Sequence, residues 1–176
     1  MTIFAMTNGK RRGRREIIAT KLIKTIQEME EGWCYTTGVL IKMGNLRSRD
    51  VYYQLKKIKE LGLFREVYIP CGDYDISLLC KGEEVKGVKV INGSKIVSIT
   101  KERAKEYVDN ILRSMKSKTY HMKAASIIRE LGVSKSSASI LAIAYIMWLT
   151  NSENFKGLVR AGSENEPKTY FLFEKR

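Results

Sequence analysis

The stretch that decides the fold lies in the first half of the chain, where residues 51–63 read VYYQLKKIKELGL. Within it Val51, Leu55 and Ile58 recur at the three- and four-residue spacing that places side chains on one face of a helix. Gly62 predicts the end of that helix, because glycine readily adopts the left-handed conformation that follows many helix C-termini. The stretch therefore predicts an amphipathic helix whose outer face is polar and basic.

Shorter predicted elements surround this helix in the first half. Helical spacing of apolar residues, capping residues and turn-rich segments mark where each element begins and ends. In chain order we predict a helix over residues 14–31, a short helix over 39–42, a tight turn over 43–45, the helix over 47–61, and two strands over 64–69 and 76–80.

The same order of elements returns in the second half. There we predict helices over residues 100–116, 123–131 and 134–150, and a hairpin of strands over 155–161 and 169–174. Thr100 and Ser134 are the expected N-caps of the first and third of these helices. Between the halves, residues 85–99 alternate around Asn92-Gly93, which predicts another hairpin. That hairpin either enlarges the first hairpin or bridges the two halves.

The repeated order and two of its segments resemble the winged helix-turn-helix family. Residues 51–63 are similar to the family's recognition helix, and residues 128–136, IRELGVSKS, look like its helix-turn-helix core. The resemblance implies an α+β fold, mainly α with β hairpins, built as two winged helix-turn-helix domains in tandem. It also implies a positive φ at Gly132, in the turn. The predicted division of the chain is a basic arm over residues 1–15, a first domain over 16–82, a hairpin or linker over 83–99 and a second domain over 100–176.

Positive charge is spread along the whole chain. Its 176 residues include 32 Lys and Arg against 19 Asp and Glu, which gives a formal net charge of +13. Residues 1–99 contribute +7 and residues 100–176 contribute +6. A positive field over both halves favours a polyanionic partner, and we expect double-stranded DNA. The densest cluster lies in the basic arm, whose expected DNA contacts are Arg11, Arg12, Arg14 and Arg15.

The resemblance places the third helix of each domain against DNA, so the polar residues of these helices are candidate contacts. Arginine can read guanine through two parallel hydrogen bonds, whereas tyrosine and lysine more often hold phosphates. In the first domain the candidates are Arg47, Ser48, Arg49, Tyr53, Lys56 and Lys57. In the second domain only the start of the helix is polar, and the candidates there are Lys135, Ser136 and Ser137.

The remainder of that second helix carries no charge from Ile140 to Leu149. A helix that is apolar nearly all round is expected to be buried on most sides. Ile140, Ile143 and Met147 share one face, and we expect this face to pair in a homodimer because soluble monomers rarely expose such a stripe. Packing of the same face against the first domain is the alternative that the sequence leaves open.

No pattern in the sequence supports an enzyme, a metal site, a cofactor or a small-molecule ligand. Three cysteines at loose spacing predict neither a disulfide framework nor a zinc site, and we expect buried thiols. Asp73 and Asp75 are interpreted as the tip of a turn-rich loop rather than as ligands of Mg²⁺. The longest apolar run has ten residues, whereas a membrane helix needs about 20. Without a signal peptide in residues 1–8, we expect a cytoplasmic, DNA-associated protein.

These expectations converge on a sequence-specific double-stranded DNA-binding protein, and the preferred interpretation is a transcription regulator. Its first domain would read bases, and its second domain would aid oligomerisation. A replication-initiator or partition protein of a plasmid or virus is an alternative within DNA binding. A winged-helix protein-interaction scaffold is another alternative, which the uncharged helix favours and the basic arm opposes. RNA binding would use the same charge, but the sequence has no aromatic-rich platform for single strands.

Overall fold

The computed structural model describes residues 17–68, 77–163, 165 and 168–175. Within these ranges the protein is a mixed structure of α-helices and β-strands, which agrees with the predicted α+β class. None of the helices in the described ranges combines the length and hydropathy that a membrane span needs. Outside the described residues lie the predicted arm contacts Arg11, Arg12, Arg14 and Arg15 and the loop carboxylates Asp73 and Asp75.

The first half follows the predicted order of elements with one additional strand. In chain order its elements are α1 (residues 17–27), β1 (Trp33–Tyr35), α2 (Thr37–Gly44), α3 (Ser48–Ile58), β2 (Arg65–Tyr68) and β3 (Ser77–Cys80). A short 3₁₀ turn, Lys59–Leu61, extends α3. Gly62 then adopts a left-handed φ of 68°, as its predicted C-cap position requires.

A hairpin links the halves, and the second half then repeats the order of the first. The hairpin consists of β4 (Gly87–Asn92) and β5 (Lys95–Thr100). The second half contains α4 (Lys101–Ser114), β6 (Thr119–Lys123), α5 (Ala124–Glu130), α6 (Ser137–Asn151), β7 (Phe155–Ala161) and β8 (Lys168–Glu174). Thr100 caps α4 as predicted, because its Oγ1 accepts a 3.2 Å hydrogen bond from the Arg103 amide. Gly132 has the positive φ, 75°, that the turn requires.

Each half contains a sheet in which the first strand pairs with the third. In the first half β3 lies between β1 and β2, and in the second half β8 lies between β6 and β7, all pairs being antiparallel. β4 pairs in parallel with the other edge of β1, and β5 pairs with β4. The first sheet therefore has the order β2-β3-β1-β4-β5, and the second has the order β6-β8-β7.

Two of these strands, β1 and β6, were not predicted from the sequence. β1 has three residues, too few for an alternating pattern, and β6 is exposed along most of its length. Neither strand therefore carries the apolar periodicity from which strands are inferred. Both form because each lies beside the returning strand of its own half, a long-range pairing that a local pattern does not record.

The linking hairpin bridges the halves, which is the second alternative left by the sequence; it adds to the first sheet beside β1 and does not pair with the first hairpin, β2–β3. Its tip contacts Ser134 in the turn between α5 and α6. The Ser134 amide donates to the carbonyl oxygen of Ile91 at 3.1 Å, and the Gly93 amide donates to Ser134 Oγ at 2.6 Å. Ser134 is therefore not the predicted cap of α6. Ser136 has that role, and its Oγ accepts a 3.1 Å hydrogen bond from the Ser139 amide.

The buried side chains form two clusters. The smaller cluster lies among the first three helices and includes Leu22, Val39 and Val51. The larger cluster is continuous from the first sheet, where Val88 belongs to it, to the aromatic residues of the second sheet, such as Phe171. α6 runs through this larger cluster and contacts α4, α5, β4 and β7. The hydrophobic core thus joins the first sheet to the second half.

This packing removes the basis for the homodimer predicted through α6. Ile143 and Met147 have no exposed surface within the single chain, and Ile140 is only 9% exposed. The face that was expected to be covered by a second chain is covered by the chain's own elements, which is the alternative that the sequence left open. This packing gives no support for a dimer through Ile140, Ile143 and Met147, because their shared face exposes no apolar stripe to water.

The expectation of buried thiols is wrong for Cys34 and Cys80, which form a disulfide bond. The two residues lie directly opposite each other on β1 and β3, and their Cα atoms are 4.0 Å apart. Their separation of 46 residues in sequence gives no hint of this proximity. The pairing depends on β1, the strand that the sequence pattern misses.

Candidate nucleic-acid interface

α3 divides into a buried face and an exposed face. On the inner face Val51, Leu55 and Ile58 are at most 7% exposed, as their spacing predicts. The polar residues at its start and on its outer face are exposed, and together we call them the α3 surface: Arg47, Ser48, Arg49, Tyr53, Lys56 and Lys57. The structure therefore brings together the six residues that the sequence predicts as DNA contacts of the first domain.

Positive charge dominates the α3 surface. Four of its six residues are cations, and the nearby carboxylate of Asp50 lies in the first turn, where it complements the helix dipole. Lys57 Nζ lies 4.6 Å from the centroid of the Tyr53 ring, a cation–π contact that orders both side chains. The surface thus offers a phenol and several charged donors, which are the groups that contact phosphates and base edges.

Contacts on both sides fix α3 in position. The hydroxyl groups of Tyr52 and Thr37 are 2.9 Å apart and form a hydrogen bond between α3 and the start of α2. Lys59 Nζ lies 3.4 Å from a carboxylate oxygen of Glu66 on β2. Asn45, in the turn between α2 and α3, has a φ of 49°, a conformation that asparagine tolerates better than most residues. The outer face of α3 is therefore presented by a fixed helix pair.

A second basic feature lies in the second half, where α5, α6, β7 and β8 enclose a cleft of about 600 Å³. Cations from these elements and the adjoining turns line it: Lys123, Arg129, Lys135, Arg160 and Lys168. All five side chains are exposed, and none of the described residues that line the cleft is acidic. Ser126 and Thr169 also line this basic cleft. Such a concave cluster of donors matches an anionic ligand.

The basic cleft contains the three predicted contacts of the second half, but they are not equivalent. Lys135 and Ser137 are exposed in its lining. Ser136 also lines the cleft, yet its hydroxyl group already caps α6 and donates to Ser139 Oγ at 2.9 Å. Ser136 therefore positions the start of α6 and offers little capacity for a ligand.

Sequence reasoning missed four of the five cations in this cleft. Lys123, Arg129, Arg160 and Lys168 are separated along the chain and belong to different elements. One signal was present, since Arg160 and Lys168 flank the predicted turn of the last hairpin, and they occupy neighbouring positions of its ladder, where Arg160 pairs with Thr169 and Lys168 with Ala161. Their proximity to Lys135 depends on how that hairpin packs against the start of α6, which local patterns do not specify.

A different cleft, of about 560 Å³, lies between α4, β6 and α5, and its chemistry is unlike that of the basic cleft. Tyr107 donates a hydrogen bond to the carboxylate of Glu130 there. Burial, and then this hydrogen bond to a carboxylate, raise the pKa of Tyr107 above its ordinary value. The hydroxyl group of Tyr107 therefore stays protonated, and its hydrogen bond to Glu130 ties α4 to α5.

The described part of the chain contains no group of three His, Cys, Asp or Glu residues that could hold a metal ion. His121 is exposed on β6. No family model, curated protein or solved structure matches the chain. The residues of the α3 surface and of the basic cleft therefore carry the evidence for what the protein binds.

Proposed function

We propose that the protein binds double-stranded DNA sequence-specifically through the α3 surface and regulates transcription from the bound site. The observation that carries this proposal is the division of α3 into a buried apolar face and an exposed basic face. A helix that enters the major groove needs this division. One face holds the helix to its domain, while the other supplies donors to bases and phosphates.

We further propose that each half is a winged helix-turn-helix domain, with the two domains in tandem. Support comes from the order helix, strand, helix, helix, strand, strand, which occurs twice along the chain. The pairing of the first strand with the third also occurs twice. In this proposal the hairpins β2–β3 and β7–β8 are the two wings, and α3 and α6 are the two third helices.

Within the α3 surface, Arg49 is the proposed base-reading residue. It lies in the first turn of α3, and a guanidinium can donate two parallel hydrogen bonds to one guanine. Tyr53, Lys56 and Lys57 would hold phosphates, which positions the helix without reading sequence. Arg47 and Ser48, at the start of α3, would contact the backbone beside the groove.

The basic arm and the second half supply affinity in this proposal rather than base reading. The arm contributes five cations in residues 10–15, a composition suited to phosphates or to the minor groove. α6 is buried from Ser139 to Met147, and its exposed Trp148 and Leu149 are apolar, so its polar contacts with DNA are limited to its start, at Lys135 and Ser137. Oligomerisation through the middle of α6 has no place in the proposal, because that face is buried.

The disulfide bond restricts the cellular compartments in which the protein is expected to function. Disulfides persist outside the reducing cytosol, and also inside the cells of hyperthermophiles. The chain has 20 lysines and two glutamines, a bias that favours the second setting. Because the proposed function requires access to DNA, we propose the cytoplasm of a thermophilic host.

Selection of bound fragments from a random pool of duplex DNA tests the proposed function. The full chain is mixed with the pool, bound fragments are recovered and sequenced, and the affinity for the enriched duplex is measured by fluorescence anisotropy. The α3 variant Arg49→Ala/Lys56→Ala is compared with Lys105→Ala/Lys116→Ala, which removes two exposed cations from the region of α4.

We expect enrichment of one sequence motif and a loss of affinity of about 1–3 kcal/mol in the α3 variant, whereas the control binds like the wild type. Binding should also weaken as salt rises, with a slope of log K against log salt of about 0.9 per phosphate contact. A pool that is not enriched, or an α3 variant that binds as tightly as the control, contradicts the proposed function.

A further inference from the structure

The α3 surface and the basic cleft lie in different halves, and a chain of direct contacts connects them. Tyr52 of α3 bonds to Thr37 at the start of α2, and the neighbouring Thr36 amide donates to the carbonyl oxygen of Lys89 at 3.4 Å. Two residues further along β4, the carbonyl oxygen of Ile91 accepts from the Ser134 amide at 3.1 Å. Ser134 directly precedes Lys135 of the basic cleft.

These contacts limit the distance between the two features. With residue spacings of at most 3.8 Å along the chain, the Tyr52 hydroxyl and the Ser134 amide are no more than about 25 Å apart. Duplex DNA rises about 3.4 Å per base pair, so this distance corresponds to less than one turn of about 34–36 Å. The distance therefore allows one duplex to contact both α3 and the cleft.

The tip of the linking hairpin lies between the two features and does not oppose such a path. Asn92, Gly93 and Ser94 are exposed polar or small residues, and Lys95 adds an exposed cation. The hydrogen bonds of Ser134 to the Gly93 amide and to Asn92 Oδ1 fix this tip against the turn before α6. The hairpin thus sets the spacing of the two basic features as well as joining their cores.

We infer that the basic cleft binds the phosphate backbone of the same DNA duplex whose bases α3 reads, so that one chain contacts one DNA molecule at two places less than one turn apart. This inference rests on the proposed function. The cleft suits a backbone better than a base edge, because its five cations converge from four elements on a concave site. The partner class is therefore continuous duplex DNA.

Binding to duplexes of two lengths tests this inference. The enriched sequence is prepared as a 20-bp duplex and as a 5-bp stem-loop that contains only the preferred base pairs. The cleft variant is Lys135→Ala/Lys168→Ala, the control is Lys105→Ala/Lys116→Ala, and the α3 variant is Arg49→Ala/Lys56→Ala. All the substituted side chains are exposed, and circular dichroism verifies that each variant is folded.

If both features hold one duplex, the cleft variant binds the 20-bp duplex about tenfold more weakly than the control does. Its affinity for the 5-bp stem-loop changes less than about twofold, because a stem of about 17 Å is occupied by α3 and leaves no further backbone for the cleft. The slope of log K against log salt for the long duplex falls by about 0.9 for each lost phosphate contact. The α3 variant weakens binding to both lengths.

Equal binding of the 20-bp duplex by the cleft variant and the control overturns the inference and leaves the proposed function intact. If the wild type binds neither duplex, the proposed function fails and the inference fails with it. A free phosphate compound is the other source of the same chemistry. If 1 mM pyrophosphate raises the melting temperature of the wild type but not of the cleft variant, and both bind the 20-bp duplex equally, the cleft is a small-anion site and the inference is overturned.

Discussion

α3 and α6 hold the same place in the order of elements of the two halves, but their surfaces are opposite in character. α3 has 11 residues, and beyond its buried face it exposes arginine, lysine and tyrosine side chains. α6 has 15 residues without a charge, and Ile140 to Met147 are all buried. The first helix therefore exposes charged donors along its length, whereas the second exposes polar groups only at its start and apolar side chains, Trp148 and Leu149, near its end.

Equivalent positions in a repeated fold therefore need not have equivalent roles. α6 packs against β4 of the first sheet, so its apolar surface joins the two halves. Because α6 has this structural role, the polar residues that a ligand can contact in the second half lie around its first turn and in the hairpin β7–β8. In the proposed function, α3 therefore reads bases and the basic cleft binds phosphates.

The largest expected effect comes from placing a charge inside α6. Ile143→Glu should abolish cooperative folding, because a carboxyl group buried without a partner costs several kcal/mol even when it is protonated, and lost apolar packing adds to this cost, against a typical domain stability of roughly 5–15 kcal/mol. Lys56→Glu on α3 should change the free energy of unfolding by no more than about 0.5 kcal/mol. Thermal melting followed by circular dichroism checks both variants.

A milder substitution at the same position gives a measurable result even if the Ile143→Glu variant does not express. Ile143→Ala should lower the free energy of unfolding by about 2–5 kcal/mol, the usual cost of a cavity at a fully buried aliphatic residue. A value below about 1 kcal/mol in urea titration would mean that α6 does not join the halves in solution.

The second largest effect concerns the sheet that supports α3. Replacing the disulfide in Cys34→Ala/Cys80→Ala should lower the free energy of unfolding by about 4 kcal/mol, since the bond closes a loop of 46 residues in sequence. Urea titration of the oxidised wild type and of the variant measures this difference. If the two proteins unfold at the same urea concentration with and without a reducing agent, the bond between β1 and β3 is not formed in solution.

A smaller effect is expected at the contact that fixes α3 against α2. Tyr52→Phe removes the hydroxyl that bonds to Thr37 and should lower the free energy of unfolding by about 0.5–1.5 kcal/mol. Because Tyr52 positions α3, the same variant should bind the enriched duplex more weakly while keeping its base preference. Loss of the preference itself would place Tyr52 among the base-reading residues.

The helices and hairpins were predictable because their signals are local. The spacing of Val51, Leu55 and Ile58 specifies the buried face of α3 and, by exclusion, its exposed face. Thr100 and Gly62 mark helix ends because capping depends on residues within one turn. The α3 surface could therefore be derived in full from the sequence.

The features that could not be predicted depend on contacts between distant segments. The Cys34–Cys80 disulfide requires the pairing of β1 with β3, and the burial of Ile143 requires the docking of α6 on the first sheet. Ser134 has the sequence signature of a helix cap, yet the nearby hairpin tip uses its hydroxyl instead. The basic cleft combines five cations from four elements, so no single stretch of sequence contains it.

The most direct test of the central claim compares base preference in Arg49→Ala and Lys56→Ala. Each purified variant is titrated with the enriched duplex and with duplexes changed at one base pair at a time. We predict that Arg49→Ala loses about 1–3 kcal/mol on the enriched duplex and no longer discriminates at one base pair. Lys56→Ala should weaken binding to all duplexes alike, because a phosphate contact carries no sequence information. If Arg49→Ala retains full affinity and full preference while Lys135→Ala destroys both, the reading helix is not α3 and the assignment of roles to the two halves is reversed.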